Sequence, residues 1–344
     1  MKKIAWLLLL CVTAGLTVAH AAQKGRNPQD PEEQTVYGDD DRLDVFQAEP
    51  RYQALADSTV ALFQGYAVSQ DAASGRSKLS LRHYGQSNSL CSHEPFYDQK
   101  EGAFCSGFLV GPDLIATAGH CVTSDSACKT TKFVFGFAIN RPGANTPEEV
   151  STGEVYGCKE LVGRQQENTG PDWAVIRLDR AVANHTPLRI DRGGVSNGMK
   201  LVMIGNPSGL PTKVAGGNTA VLDASPNGWF RANTDSYHGN SGSAVFSQTS
   251  GGIVGILVRG EADFEQYRGP GADATATCYV SKKCPSDASG CRGEDVTKIE
   301  AAQIPSFNVM AKFTNPAKAS VATMVSRPGT AFADLVDAAN VHTN

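Results

Sequence analysis

Charge is scarce in this chain. Asp, Glu, Lys and Arg together make up 19% of the 344 residues, and the formal net charge is −4. Binding to nucleic acid is dominated by basic patches on phosphate, so the balance argues against nucleic acid as a main partner. Beyond the N-terminal segment there is no apolar stretch long enough to span a bilayer, and hence no expected stable membrane anchor. Long amphipathic helical patterns and internal repeats are also missing. The cysteines include no Cys-x-x-Cys pair, and the Cys278, Cys284 and Cys291 cluster has no histidine nearby. Zinc is therefore a poor account of that cluster, and no metal or cofactor is expected.

What is present begins at the N-terminus. Lys2 and Lys3 precede an apolar run over residues 4–18 and then Ala19-His20-Ala21. These are the three parts of a secretory signal peptide, with cleavage expected after Ala21. Export, into a periplasm or out of the cell, is the expected destination. Removal of residues 1–21 leaves 323 residues, with 29 Lys plus Arg against 35 Asp plus Glu, and eight of the nine cysteines. An even number of cysteines in an exported chain favours disulfides. Residues 22–35 are polar, carry two prolines and read as a leader or pro-segment.

From residue 36 the texture changes. Short runs rich in β-branched and aromatic residues, at 58–63, 108–110, 132–137, 173–178, 200–204, 244–246 and 252–258, alternate with Gly, Pro and Asn. That spacing predicts an all-β sandwich or barrel. A single helical turn is expected at 118–122 and a helix at 334–341. The main domain is placed at 36–304, followed by a C-terminal tail at 305–344.

Two motifs carry chemistry. Residues 239–243 read Gly-Asn-Ser-Gly-Ser, and residues 117–121 read Thr-Ala-Gly-His-Cys. A serine hydroxyl is a weak nucleophile at neutral pH and needs a base beside it and donors for a developing oxyanion. Glycines on both sides of Ser241 permit a sharp turn that aims amide N–H groups into one small space. His120 is the candidate base. A carboxylate should orient its imidazole, and Asp172, just before the apolar run Trp-Ala-Val-Ile, is the candidate for that role.

With these three motifs in the order His, Asp, Ser, the chain resembles the trypsin/chymotrypsin-like serine endopeptidases over roughly residues 36–299. The resemblance implies two packed antiparallel six-stranded β-barrels with the active site between them. It implies His120 as general base, Asp172 as its orienter, Ser241 as nucleophile, and an oxyanion hole from the amides of Gly239 and Ser241. It also implies a Cys105–Cys121 disulfide, leaving Cys91, Cys128, Cys158, Cys278, Cys284 and Cys291 to pair in any of 15 ways. Expected partners are protein or peptide substrates. A catalytically silent binding or adhesion protein is the alternative, but its mark would be loss of a triad residue, and all three are present.

Within the family, the chain is most similar to the bacterial branch that includes glutamyl endopeptidases, through the Val-Tyr-Gly-Asp-Asp-Asp-Arg stretch at 36–42 and Gly-x-Ser-Gly-Ser. Asn240 replaces an acid that pairs, in many animal members, with the amine freed by zymogen cleavage. Activation by that ion pair is not expected. The primary pocket is assigned to Asp235, His238, Val258, Arg259 and Gly260. Asp235, six residues before Ser241, stands where an acid selects Arg or Lys, although bacterial relatives of other specificity carry Thr-Asp at the same spacing. Leu257 takes the place near which glutamyl-specific relatives put a histidine. The expectation is a modest lean toward basic residues before the scissile bond.

Overall fold

The computed structural model describes residues 35–267 and 277–305. The leader, the tail and the helix expected at 334–341 lie outside the described residues, save Thr35 and residue 305 at their edges. Each of the seven predicted apolar runs forms or overlaps a strand. The four-residue run Leu201-Val202-Met203-Ile204 shows why. All four side chains are buried, Val202 and Ile204 in the core shared with the first barrel, Leu201 and Met203 in the core on the other face. Successive strand side chains point to opposite faces, so a strand covered on both sides reads as continuous apolar sequence.

Six antiparallel strands close into a barrel in the order Thr131–Val134, Val155–Gln166, Asp172–Leu178, Leu114–Thr117, Cys105–Gly111 and Thr59–Gln64, the last pairing back to the first. The second half is an eight-stranded antiparallel sheet rather than a second closed six-stranded barrel. Its order is Val221–Asp223, Trp229–Ala232, Glu294–Lys298, Ile253–Arg259, Ala244–Ser247, Leu201–Gly205, Lys213–Ala215 and Leu43–Asp44. The architecture is the two-barrel chymotrypsin-like one, with the second barrel open.

The strand Val155–Gln166 was not anticipated. It carries Lys159, Glu160, Arg164, Gln165 and Gln166, and two register shifts bend it against its neighbour Asp172–Leu178. Bulges of this kind break the two-residue alternation on which strand reading depends. Short helices at Pro50–Ala56, Tyr84–Ser87 and Asp125–Thr130 were likewise unanticipated. The turn expected at 118–122 is a hydrogen-bonded turn, Cys121 N–H to the Ala118 carbonyl at 3.2 Å, without helix.

Four disulfides join Cys91 to Cys278, Cys105 to Cys121, Cys128 to Cys158 and Cys284 to Cys291. The halves of the molecule meet at Gly209, whose carbonyl accepts the Gly102 and Ala103 amides at 2.9 and 3.3 Å. Gly209 has φ +72°, and a Cβ there would stand 2.1 Å from the Ala103 carbonyl oxygen. Only glycine meets both demands. Gly209→Ala should therefore lower unfolding free energy by about 2–3 kcal/mol. The check is the urea midpoint, and an unchanged midpoint would show that the two halves do not need this close approach.

Candidate active site

The hairpin Cys105–Gly111 and Leu114–Thr117 runs directly into His120, and the Cys105–Cys121 disulfide ties the histidine turn back to the hairpin's first strand. Asp172 is 1% exposed and opens the strand Asp172–Leu178. Its Oδ1 accepts the Gly119 and His120 amides at 2.5 and 3.1 Å, and its Oδ2 lies 2.8 Å from His120 Nδ1. A Cβ on Gly119 would stand 2.2 Å from the Gln165 carbonyl oxygen and 2.9 Å from Asp172 Oδ1. The glycine before the histidine is thus what lets the carboxylate approach this closely.

The carboxylate is itself braced. Thr297 Oγ1 accepts the Asp172 amide and donates to the Asp172 carbonyl, both at 2.9 Å. Arg259 donates to the carbonyls of Glu167 and Gly170, at 2.9 and 2.7 Å, and pairs with Asp295 at 3.1 Å. It thereby holds the loop leading into Asp172, with its Nη1 4.0 Å from Asp172 Oδ2. Arg259 was assigned to the substrate pocket from sequence. It is 7% exposed, and its hydrogen bonds go to this loop and to Asp295.

Ser241 lies in a turn in which Gly239 and Gly242 adopt φ +86° and +89°. Ser106 of the first barrel grips this turn twice: its amide donates to the Ser241 carbonyl and its hydroxyl to the Gly239 carbonyl, both at 2.8 Å. A Cβ on Gly242 would stand 2.3 Å from Thr117 Oγ1, and Cys121 Sγ lies 3.5 Å from the Ser241 carbonyl oxygen. The Ser241 turn therefore sits against the same hairpin end that carries His120.

Its peptide planes are fixed as well. The Ser208 amide donates to the His238 carbonyl at 2.5 Å, and the Ser243 amide to the Asn240 carbonyl at 2.8 Å. In a trans peptide the N–H points opposite to the C=O. Holding those carbonyls turns the Gly239 and Ser241 amides each away from the carbonyl of its own peptide. Among the described residues neither amide donates a hydrogen bond, whereas those of Asn240, Gly242 and Ser243 all do. Two donors left over in one glycine-bracketed turn suit a developing oxyanion.

The remaining pocket residues are placed differently from expectation. Asp235 is 1% exposed, and its two oxygens accept the Tyr37 and Asp41 amides at 2.7 and 2.8 Å. Burial, reinforced by the nearby Asp41 carboxylate, pushes its pKa up to about 8 against the pull of those amides. The carboxylate on which a basic preference rested is thus engaged with the N-terminal segment. His238 is half-exposed, with Nδ1 and its amide both on Asp263. Burial works against its proton, but the Asp263 partner and Glu101 outweigh it and raise its pKa. Val258 is fully buried in the core shared by the two halves.

Glu294 was missed. It is fully buried, accepts from the Tyr37 hydroxyl at 3.0 Å and the Ser236 hydroxyl at 2.8 Å, and lies so close to Gly260 that a Cβ there would stand 1.8 Å from its Oε2. Burial raises its pKa well above the usual carboxylate range. The acid lies in Gly-Glu-Asp-Val-Thr, which has no recognisable pattern.

Comparison with known proteins agrees with this geometry. Residues 105–256 match the family model described as a trypsin-like peptidase domain. Glutamyl endopeptidase of Bacillus licheniformis is 27% identical over 150 residues, covering 42% of this chain and 46% of that protein. Human chymotrypsin-like elastase family member 3B is 34% identical over 89 residues, covering 24% of this chain and 31% of its own length. The matches thus span less than half the length of these curated relatives. A solved Glu endopeptidase in complex with MPD is 21% identical with a TM-score of 0.42, covering 65% of this chain and 87% of that one. Over residues 105–256 the chain thus matches a trypsin-like peptidase domain, and it is similar there to trypsin/chymotrypsin-like serine proteases.

Proposed function

We propose that this chain is an exported serine endopeptidase that hydrolyses peptide bonds through an acyl-enzyme, with His120, Asp172 and Ser241 as its triad. The observation that carries the reading is the Asp172 carboxylate, which takes two amides of the histidine turn on one oxygen and meets His120 Nδ1 with the other. A proton on Nδ1, donated to Asp172, leaves Nε2 as the acceptor. His120 then takes the Ser241 proton as Oγ attacks the scissile carbonyl. The Gly239 and Ser241 amides receive the oxyanion, and His120 returns the proton to the leaving amine. Water, deprotonated by the same imidazole, releases the acyl group and restores Ser241. Four disulfides among the described residues support an oxidising destination.

Activity on an unfolded protein substrate should follow the proposed roles. Ser241→Ala should abolish turnover, and Asp172→Asn should lower kcat by about 10⁴-fold by favouring the wrong tautomer. Cleavage surviving in Ser241→Ala at the wild-type rate would reject this site. Arg259→Ala should lower kcat about 10- to 100-fold with little change in KM, because it frees the loop that positions Asp172. An unchanged kcat would mean that Thr297 and the histidine-turn amides hold Asp172 without it.

A further inference from the structure

The first ten described residues run beneath the nucleophile turn and are bound there at every stage. Val36 and Tyr37 pair in parallel with Lys283 and Cys284. The Ser236 amide donates to the Thr35 carbonyl at 3.1 Å. Asp235 takes the amides of Tyr37 and Asp41, while the Tyr37 hydroxyl and the Ser236 hydroxyl share the two oxygens of Glu294. Arg42 is 4% exposed, pairs with Asp40 and stacks 4.0 Å over the ring of Tyr237. Tyr37 of this stretch is thus held by Glu294, and Arg42 of the same stretch covers Tyr237. At its far end Leu43–Asp44 joins the eight-stranded sheet, and Asp44 pairs with the buried Lys213 at 2.8 Å.

The loop bound in this way is the one that leads into the nucleophile. Asp235, Ser236 and Tyr237 are each held, and the Tyr237 carbonyl accepts the Asn240 amide at 3.0 Å, one residue before Ser241. From these contacts we infer that residues 35–44 fasten the nucleophile turn in its working shape, and that Asp235 is the positioning residue that anchors them rather than an acid that binds substrate. The anchoring groups are two internal amides and a phenol, so the device does not require a charged chain terminus. It differs from the ion pair that an acid at the Asn240 position would make. The inference rests on Ser241 being the nucleophile.

Charge around the anchor gives it a pH dependence. Asp41 faces Asp235 and itself accepts the Gly217 and Asn218 amides at 2.6 and 3.1 Å. Asp40 stands beyond it, balanced by Arg42 and Lys283. Burial and Asp41 raise Asp235 to about 8, so the folded arrangement favours its neutral form. The corresponding stabilisation is complete below the ordinary carboxylate pKa and is lost as pH rises through about 8.

The test is the second-order rate at which diisopropyl fluorophosphate inactivates the full-length protein, since this probe phosphorylates a serine nucleophile, with loss of fluoride, without presenting a substrate side chain. Asp235→Ala should slow inactivation about 10- to 100-fold at pH 7, as expected for a misplaced reacting group. Tyr37→Phe, which removes one hydroxyl, should slow it less and serves if Asp235→Ala does not fold. Wild-type inactivation should fall above about pH 8, where a histidine base alone would give a plateau. Asp235→Asn should remove that fall. Undiminished rates in Asp235→Ala and Tyr37→Phe, with a changed ratio of Lys-ester to Leu-ester KM in Asp235→Ala, would overturn the inference and return Asp235 to the substrate pocket. Wild type that does not react would instead remove Ser241 as nucleophile, and the inference with it.

Discussion

Ser106 is the residue on which the site's geometry turns. It belongs to the first barrel, yet its amide and hydroxyl hold the carbonyls of Ser241 and Gly239, and its hydroxyl also accepts the Asn206 amide at 2.8 Å. Thr117, three residues before His120, donates its hydroxyl to the Ser106 carbonyl at 2.7 Å. One small side chain and the two peptide units that flank it thus connect the His120 turn to the Ser241 turn. Each of these groups is buried, so each bond is costly to lose. The two halves of the fold are separate sheets, and without such cross-bonding His120 on one and Ser241 on the other would not keep a common register.

The electrostatic design has two distinct parts. Asp172 meets its donors in a tight, fully occupied cluster with the histidine turn. Asp235 and Glu294 lie deeper, accept from neutral amides and hydroxyls, and are pushed toward their neutral forms by burial. Acids of the second kind make poor electrostatic attractors for a substrate and good hydrogen-bonding hubs. They organise residues 35–44 and the 235–238 loop around Tyr37.

Much of this was legible before the structure. His120, Asp172 and Ser241 could be put forward as a candidate triad because the chemistry proposed for them demands those residue types beside glycines and a strand start, all of which are local. The strands buried on both faces were legible for the same reason. Cys91 and Cys278 are 187 residues apart, and their pairing depends on topology rather than pattern. The contacts of Asp235 and Arg259 were not legible, because the direction of a side chain is set by distant partners, Tyr37 and Asp41 in one case, Glu167 and Gly170 in the other. Glu294 was invisible because a buried acid with neutral partners leaves no mark in sequence.

The central claim is that this geometry makes Ser241 a covalent catalyst. It is tested most directly by mixing the full-length protein with an activated peptide ester, quenching in acid within the first turnover, and mapping the added mass. The account predicts a burst of leaving group equal to the protein present and an acyl mass on the peptide containing Ser241. Release without a burst, or an acyl mass on any other residue, would contradict it.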